Sequence, residues 1–241
     1  MSQENVTRLN KFIRATGFCS RREADQFIEE GRVTVNGKIP ELGTKVSSAD
    51  DIRIDGKPIN KKEELLYLAF NKPVGIICTT ERDIKHNIID YIKYPTRIFP
   101  VGRLDRASDG LIFLTNDGDI VNKILRAGNN HEKEYIVTVN KPITENFIQQ
   151  MGNGIPILET VTKKCFVEQT GKFQFRIILT QGLNRQIRRM CSYLEFEVMK
   201  LRRIRIMNIT LEGLKTGEWR EFSKTEMETI NELISNSSKT A

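Results

Sequence analysis

Residues 101–116 read VGRLDRASDGLIFLTN, and the larger part of the chain is organised around them. The stretch begins with turn-forming residues and ends in an apolar run typical of a buried strand. Asp105 falls in the loop part, where the strand behind it can hold the carboxylate while one face stays open. Because Arg103 and Arg106 flank it, we expect this carboxylate to be ionised and available as a nucleophile or base. A turn residue or a surface ion pair is the competing interpretation.

Composition indicates a globular protein with a polyanionic partner. Of the 241 residues, 39% are hydrophobic, which suffices for a core. The 38 Lys and Arg exceed the 31 Asp and Glu, for a net charge of +7, and clustered cations usually neutralise phosphates. No apolar run approaches the roughly 18 residues that cross a bilayer. The first residues also lack the pattern of a secretion signal, so we expect a cytoplasmic protein that does not enter membranes.

The cysteines and histidines do not indicate a metal site. No Cys-x-x-Cys pair occurs, and the chain has only two histidines. We therefore expect reduced, mostly buried thiols, no metal and no cofactor. The four cysteines are Cys19, Cys78, Cys165 and Cys191.

The first sixty residues predict two helices followed by a small hairpin sheet. Thr7 is expected to cap the first helix, and Ser20 and Glu23 form a capping box for the second. Asn36-Gly37 and Asp55-Gly56 are hairpin turn signals. Five cations fall on or between the helices and predict a face that binds the backbone of structured RNA, although solvated helix faces look the same. They are Arg8, Lys11, Arg14, Arg21 and Arg22.

A charged, apolar-poor run predicts a linker at 61–65, between a domain at 1–60 and a larger domain at 66–241. In the larger domain, an apolar strand is expected at Leu65–Phe70, with Val74–Thr79 as its partner. Tyr135 opens a β-branched strand, where a core or cross-strand role is the usual one. Trp219 is also expected in the core.

Three arginines crowd the start of a helix that we expect Asn184 to cap. Cations at a helix N-terminus oppose the helix dipole at a cost of about 0.3–1 kcal/mol each. An anion is therefore expected nearby, either a protein carboxylate or RNA phosphate. The three are Arg185, Arg188 and Arg189.

Several motifs in order carry a family resemblance. Residues 8–13, 19–25 and 31–38 resemble the S4 RNA-binding domain. The rest resembles the pseudouridine synthases of the RsuA type, and the two resemblances together cover nearly the whole chain. The motifs of the second resemblance are NKPVG (71–75), GRLD (102–105) with Gly110-Leu111, NDGD (116–119), HEKEY (131–135) and GLNRQIRRM (182–190).

The resemblance implies an α+β protein, in which a small S4-like domain precedes a catalytic domain with a mixed, mainly antiparallel sheet. It implies Asp105 as the nucleophile, Tyr135 as the aromatic that stacks on the target uracil and helps remove its C5 proton, and Arg185 as the ionic partner of Asp105. The chemistry fits, because a carboxylate can attack the sugar or assist loss of the base while an arginine keeps it ionised. The reaction needs neither a redox agent nor a metal.

A uridine within a stem must be flipped out to reach this carboxylate. Arg103 is the candidate to occupy the vacated position or hold a phosphate, with a structural ion pair as the alternative. The other expected RNA contacts in this domain are basic residues, because phosphate contacts position the substrate. They are Lys72, Lys133, Arg188, Arg189, Arg202, Arg203 and Arg205.

The sequence thus predicts a cofactor-independent, monomeric RNA pseudouridine synthase acting on a stem-loop of 23S ribosomal RNA, with transfer RNA open as an additional substrate. Two alternatives stay open. A non-catalytic RNA-binding or ribosome-assembly protein has no need of Asp105, Tyr135 and Arg185. A carboxylate-based hydrolase needs a second catalytic carboxylate, for which Asp109 has no motif support.

Overall fold

The computed structural model describes residues 6–59 and 64–237. It divides the chain into two compact units, up to Leu65 and from Leu66 onward. Most of the predicted linker, residues 61–63, lies outside the described residues.

The first unit combines two helices with short strands. A capping box at Ser20 and Glu23 starts the second helix, as predicted. The elements are β1 (Thr7–Arg8), α1 (Leu9–Ala15), α2 (Arg21–Glu29), β2 (Val33–Val35), β3 (Lys45–Val46), β4 (Ile52–Ile54) and β5 (Lys57–Pro58).

One local prediction for this unit is wrong. Thr7 does not cap α1, because it pairs with Val46 in a two-stranded ladder and Arg8 takes the N-cap position without a side-chain bond. The Asn36-Gly37 turn forms as predicted and closes on Lys38, and β2 pairs along its length with β4. Long-range apolar pairing decided this register, since Val33, Ile52 and Ile54 are all fully buried.

The second unit carries a nine-stranded sheet with helices packed against it. Its helices are α3 (Ile88–Ile92), α4 (Gly118–Leu125), α5 (Glu145–Asn153), α6 (Gln186–Tyr193) and α7 (Lys224–Leu233). Its strands are β6 (Tyr67–Lys72), β7 (Phe99–Val101), β8 (Asp109–Thr115), β9 (Lys133–Val139), β10 (Pro156–Ile157), β11 (Thr160–Val161), β12 (Phe166–Gly171), β13 (Gln174–Leu179), β14 (Val198–Ile206), β15 (Ile209–Thr210) and β16 (Trp219–Glu221).

The sheet is mixed and mainly antiparallel, as predicted. Its order is β12-β13-β9-β14-β8-β6-β16, with β15 on β14 and β7 on β8. Within this sheet β14 and β8 form a parallel pair, in which Arg203 lies beside Gly110. Strands that are distant in sequence therefore meet at the centre.

The expected pairing of the first apolar strand with Val74–Thr79 is wrong. Strand β6 pairs with β8 and β16, and the segment after Pro73 contributes only a single bridge between Ile77 and Asn87. Both neighbours of β6 come from much later in the chain, so local adjacency was a poor guide.

Apolar side chains cover both faces of this sheet. Leu68 and Phe70 lie in the larger core with α3, α5 and α6, whereas Ala69 between them joins a second core with α4 and α7. Trp219 lies outside the core, contrary to the expectation from the sequence. It is 40% exposed on the edge strand β16, and its ring packs edge-on against Tyr94. In the described part of the chain, no helix has both the length and the apolar character needed to cross a membrane.

Candidate active site

Asp105 lies in the loop that joins β7 to β8, as the turn chemistry predicted. Its Oδ2 accepts a hydrogen bond from Arg185 Nη1 at 3.4 Å and lies 3.3 Å from Arg188 Nε. The Asp105 side chain is 29% exposed, so the carboxylate is held by two guanidinium groups and still reaches solvent. The structure therefore brings together two residues that are 80 positions apart and supplies the expected anion beside the arginine-rich helix start.

Arg188 is the residue at this site whose position sequence reasoning missed. It was expected to follow the RNA backbone, but its side chain is only 14% exposed. Its Nη2 donates to Ala107 O at 3.3 Å and to Ser108 Oγ at 3.1 Å, which ties α6 to the Asp105 loop. The available signal was the i, i+3 spacing from Arg185, which places both side chains on one face of the helix.

Arg185 itself is held in a strained backbone conformation. It has φ 50° and ψ 35°, in the left-handed region, and it takes the N-cap position of α6 in place of Asn184, which was expected there. Asn184 instead accepts two hydrogen bonds from the Arg189 side chain, at its O and its Oδ1. Strain at a non-glycine residue is typical of functional sites, and here it aims the Arg185 side chain at Asp105.

A pocket of about 700 Å³ opens beside the carboxylate. Tyr135, from β9, lies in its wall and is 9% exposed. Leu104, Leu179 and Leu201 add apolar lining, so one flat ring and aliphatic groups face the space next to Asp105. Such a wall suits an aromatic base that stacks on the tyrosine.

Three cations expected to contact RNA are buried instead. Lys72 is fully buried, and its Nζ donates to Pro73 O and Ile76 O. Lys133 and Arg203 are 6% and 5% exposed and donate to backbone carbonyls. The expectation of surface phosphate contacts is therefore corrected for all three, because their charged groups lie inside the unit; Lys133 and Arg203 line the pocket.

The remaining basic residues divide into paired and open ones. Arg202 pairs with Asp109 at 2.8 Å, and Arg205 pairs with Glu132 and Glu134 at 2.9 and 2.6 Å, so both are engaged within the protein rather than free for phosphate. Arg103 is exposed at the pocket and makes no ion pair among the described residues. In the first unit all five expected cations are partly or fully exposed on α1, α2 and their flanks.

Burial of Lys133 has a measurable consequence for stability. Desolvation, with the charge of Arg203, lowers the pKa of this lysine to about 8. The unfolded chain holds the proton up to about pH 10.4, so the folded state is penalised below pH 8 and relieved as the pH rises. At pH 7 this penalty is about 3 kcal/mol. We expect Lys133→Met to raise the free energy of unfolding at pH 7 by about 1–2 kcal/mol, because it also removes one hydrogen bond.

Urea denaturation of the wild type and Lys133→Met at pH 7 and pH 10 measures this difference. The gain should shrink at pH 10, where the wild-type lysine is neutral in the folded state. Lys164→Met, at an exposed position, is the matched control and should change little at either pH. A gain that is the same at both pH values would contradict the assignment to a buried charge.

The chain is similar to several known proteins. A family model described as RNA pseudouridylate synthase matches residues 66–193, and an S4 domain model matches residues 7–52. Two relatives named dual-specificity RNA pseudouridine synthase RluF are 56% identical (Salmonella typhi; 100% of this chain and 84% of the relative) and 55% identical (Escherichia coli K12; 99% and 83%). The motifs quoted above likewise resemble the large-subunit ribosomal RNA synthase F.

A more distant relative is the ribosomal large subunit pseudouridine synthase B of Bacillus subtilis, 36% identical over 95% of this chain and 97% of its own. Among solved structures, one described as a pseudouridylate synthase superposes with a TM-score of 0.69 at 29% identity and covers 92% of this chain and 99% of its own. The family model, the relatives and the fold agree, and the chain belongs to the RNA pseudouridine synthases, which isomerise uridine to pseudouridine in RNA.

Proposed function

We propose that this enzyme modifies a uridine in a stem-loop of 23S ribosomal RNA and that Asp105 is its nucleophile. One observation carries the chemical part of the proposal. Asp105 is the single carboxylate among the described residues that line the pocket, and two arginines hold it at 3.3 and 3.4 Å. A carboxylate held in this way is oriented toward a bound sugar or base.

Tyr135 supplies the surface for the base. Its ring lies in the wall of the pocket that holds Asp105, and stacking on an aromatic ring tolerates the turning of the base that the isomerisation requires. Arg185 and Arg188 keep the carboxylate in place while the uracil is detached and reattached through C5. The carboxylate, the ring and the two arginines thus have distinct roles in one pocket.

The target uridine reaches this pocket by flipping out of its stem, because a paired base cannot contact a carboxylate set in a pocket. Unstacking costs a few kcal/mol, which phosphate and stacking contacts must offset. Arg103 is placed for one of these contacts, since it is exposed at the pocket and has no ion-pair partner among the described residues. We assign it to the vacated position in the stem or to the phosphate of the flipped nucleotide.

The substrate class follows from the two units together. The basic helices of the first unit suit the backbone of structured RNA, and phosphate contacts there position a stem without reading its sequence. One relative is named for the ribosomal large subunit, and others are named dual-specificity. We therefore propose 23S ribosomal RNA as the main target and transfer RNA as the second, modified by a monomer in the cytoplasm.

Mapping pseudouridine in total ribosomal and transfer RNA tests the target assignment. RNA from cells that lack this protein should miss pseudouridine at a discrete 23S position, and a plasmid copy should restore it. Loss at a transfer RNA position as well would support the second substrate. Unchanged 23S RNA with loss elsewhere would refute the main target and leave the chemistry untouched.

A non-catalytic assembly protein is the competing function. It shares the fold and the basic helices, but it does not require a carboxylate held by two arginines beside a pocket of about 700 Å³. The plasmid experiment separates the two functions when it is repeated with the Asp105→Asn variant. An enzyme that carries this substitution does not restore the pseudouridine. An assembly protein does not depend on Asp105, so the variant should act in these cells like the wild-type copy.

A further inference from the structure

The charges that line the pocket do not balance. Asp105 is the single carboxylate among the described lining residues. It faces five cations, which are Arg103, Arg106, Lys133, Arg185 and Arg203. Arg185 pairs with Asp105, but Lys133 and Arg203 form no ion pair in the described part of the chain and are nevertheless buried. A buried surplus of positive charge indicates that something negative enters the pocket.

Arg203 also has an unsatisfied hydrogen-bond donor. Its Nε donates to Leu111 O at 2.6 Å, whereas its Nη2 is enclosed and lacks a hydrogen-bond partner among the described residues. Leaving a buried donor unsatisfied costs about 1–3 kcal/mol, and more for a charged group. Arg203 is 5% exposed and borders the pocket. The unmet donor shows that the described part of the protein does not fully satisfy this guanidinium, which borders the pocket.

The sheet places both unpaired cations next to the stacking ring. Arg203 on β14 is the direct cross-strand partner of Tyr135 on β9, and its Cζ lies 6.0 Å from the ring centroid. Lys133 is two residues before Tyr135 and therefore projects from the same face of the strand. A base that enters the pocket beside Tyr135 thus lies near two cations.

Lys133 can act as a cation at neutral pH. Its Nζ donates one hydrogen bond, to His131 O at 3.0 Å, which leaves two N–H groups. Burial lowers the pKa of this lysine to about 8, so the protonated form still dominates at pH 7. Arg203 stays charged at any working pH.

We propose that Arg203 and Lys133 form an oxyanion site for the departing uracil, in which they donate to a carbonyl oxygen of the base and hold the negative charge that leaves with it. The inference rests on the proposed placement of the target uridine against Tyr135. Preorganised donors aimed at developing charge usually make the largest contribution to lowering a barrier.

The electron balance requires such a site. When the bond between uracil N1 and sugar C1′ breaks, its electron pair stays with the base, and the charge spreads from N1 to O2 and O4. The base then turns and C5 bonds to C1′, which returns the electrons to the new bond. C5 loses its proton to a base, N1 gains one, and the product is neutral uracil joined through carbon. The charge on O2 and O4 is therefore transient, and groups that bind it act on the reaction and not on RNA affinity.

Single-turnover tritium release tests the site, with unmodified 23S ribosomal RNA labelled at uridine C5 as the probe. Arg203→Gln should slow release by about 100-fold or more, as removal of an oxyanion donor does. Lys133→Met should slow it by about 10-fold, and Arg203→Lys, which keeps a cation, should lose less than Arg203→Gln. The RNA dissociation constant should change by less than about threefold in all three.

A substrate with a better leaving group separates this role from a structural one. In RNA made with 5-fluorouridine, fluorine stabilises the uracil anion, so less help from the cations is needed. Loss of 5-fluorouridine from nuclease digests should therefore be slowed by Arg203→Gln only about 10-fold. Equal losses on both RNAs would mean that Arg203 only supports Tyr135, and this result would overturn the proposal.

Arg176→Gln is the matched control, because it removes a cation of the same sheet that pairs with Glu134 and Glu168 outside the described pocket lining. It should react at the wild-type rate. Since Lys133→Met is expected to be more stable than the wild type, it carries the test if Arg203→Gln does not fold. If Arg203→Gln and Lys133→Met react normally while Asp105→Asn is inactive, the oxyanion site is wrong and the proposed function stands; an active Asp105→Asn refutes the proposed function itself.

Discussion

We expect Asp105→Asn to abolish pseudouridine formation and to leave RNA binding intact. We expect the single-turnover rate to fall by about 10⁴-fold or more, as it does when a covalent nucleophile is removed. Asn keeps the shape of the side chain but cannot attack the sugar or assist loss of the base. Arg188 remains fixed by Ala107 O, Ser108 Oγ and Val198 O, so the loop should keep its position. Tritium release from C5-labelled 23S RNA and a filter-binding isotherm measure the two quantities.

Asp109→Asn is the control for this variant. Asp109 lies four residues away, pairs with Arg202 at 2.8 Å and is not among the pocket-lining residues. Its replacement removes a nearby carboxylate without touching the pocket, so the rate should stay within about threefold of the wild type, as expected for a site outside the chemistry. Wild-type rates from Asp105→Asn would show that another group is the nucleophile.

Gly110→Ala should destabilise the second unit by about 4 kcal/mol or more, the range reached when a substitution disrupts the packed interior. Gly110 has φ +107°, and a Cβ added there would lie 2.2 Å from Arg203 O and 2.8 Å from Arg203 N. These are backbone atoms of the parallel partner strand and cannot move aside like a flexible side chain. The β8 and β14 strands must therefore separate at the centre of the sheet. Urea denaturation followed by circular dichroism gives the free energy of unfolding.

Two other glycines distinguish the cost of the positive φ from the cost of the steric clash. Gly213 has φ +70° but open space around a Cβ, so Gly213→Ala should cost only the backbone term, about 1 kcal/mol. Gly128 has neither a positive φ nor a neighbour within 4 Å, and Gly128→Ala should be neutral or slightly stabilising. If Gly110→Ala costs no more than Gly213→Ala, the close approach of the two strands does not constrain this position.

Local signals predicted the start of α2 and the loop that carries Asp105. The capping box at Ser20 forms, because it needs only residues within one helical turn. The surplus of arginines at the start of α6 also indicated a nearby anion, and Asp105 provides it. In the first case the interacting groups are close in sequence. In the second, the sequence shows cations at a helix N-terminus, which oppose the helix dipole and so indicate an anion.

Predictions that depended on partners far along the chain were less successful. The sequence pattern predicts that β6 pairs with the next apolar segment, whereas its neighbours in the structure are β8 and β16. The sequence also predicts surface positions for three cations, Lys72, Lys133 and Arg203, because a basic residue is usually exposed. A single sequence does not show which strand lies at the centre of a sheet. Burial of these side chains follows from the sheet order, which no local pattern specifies.

The sequence by itself indicated the family, the two-part organisation of motifs and three of the residues at the pocket, Asp105, Tyr135 and Arg185, because the family resemblance rests on the order of the motifs. Only the tertiary structure decided which residues surround the segment 101–116. Folding brings α6 to the Asp105 loop, so that Arg188 shares its carboxylate, and it sets β14 against β8 and β9, so that Arg203 lies beside Tyr135. The physical reason is that burial and strand register depend on contacts between distant segments, whereas turns, caps and motifs depend on neighbours.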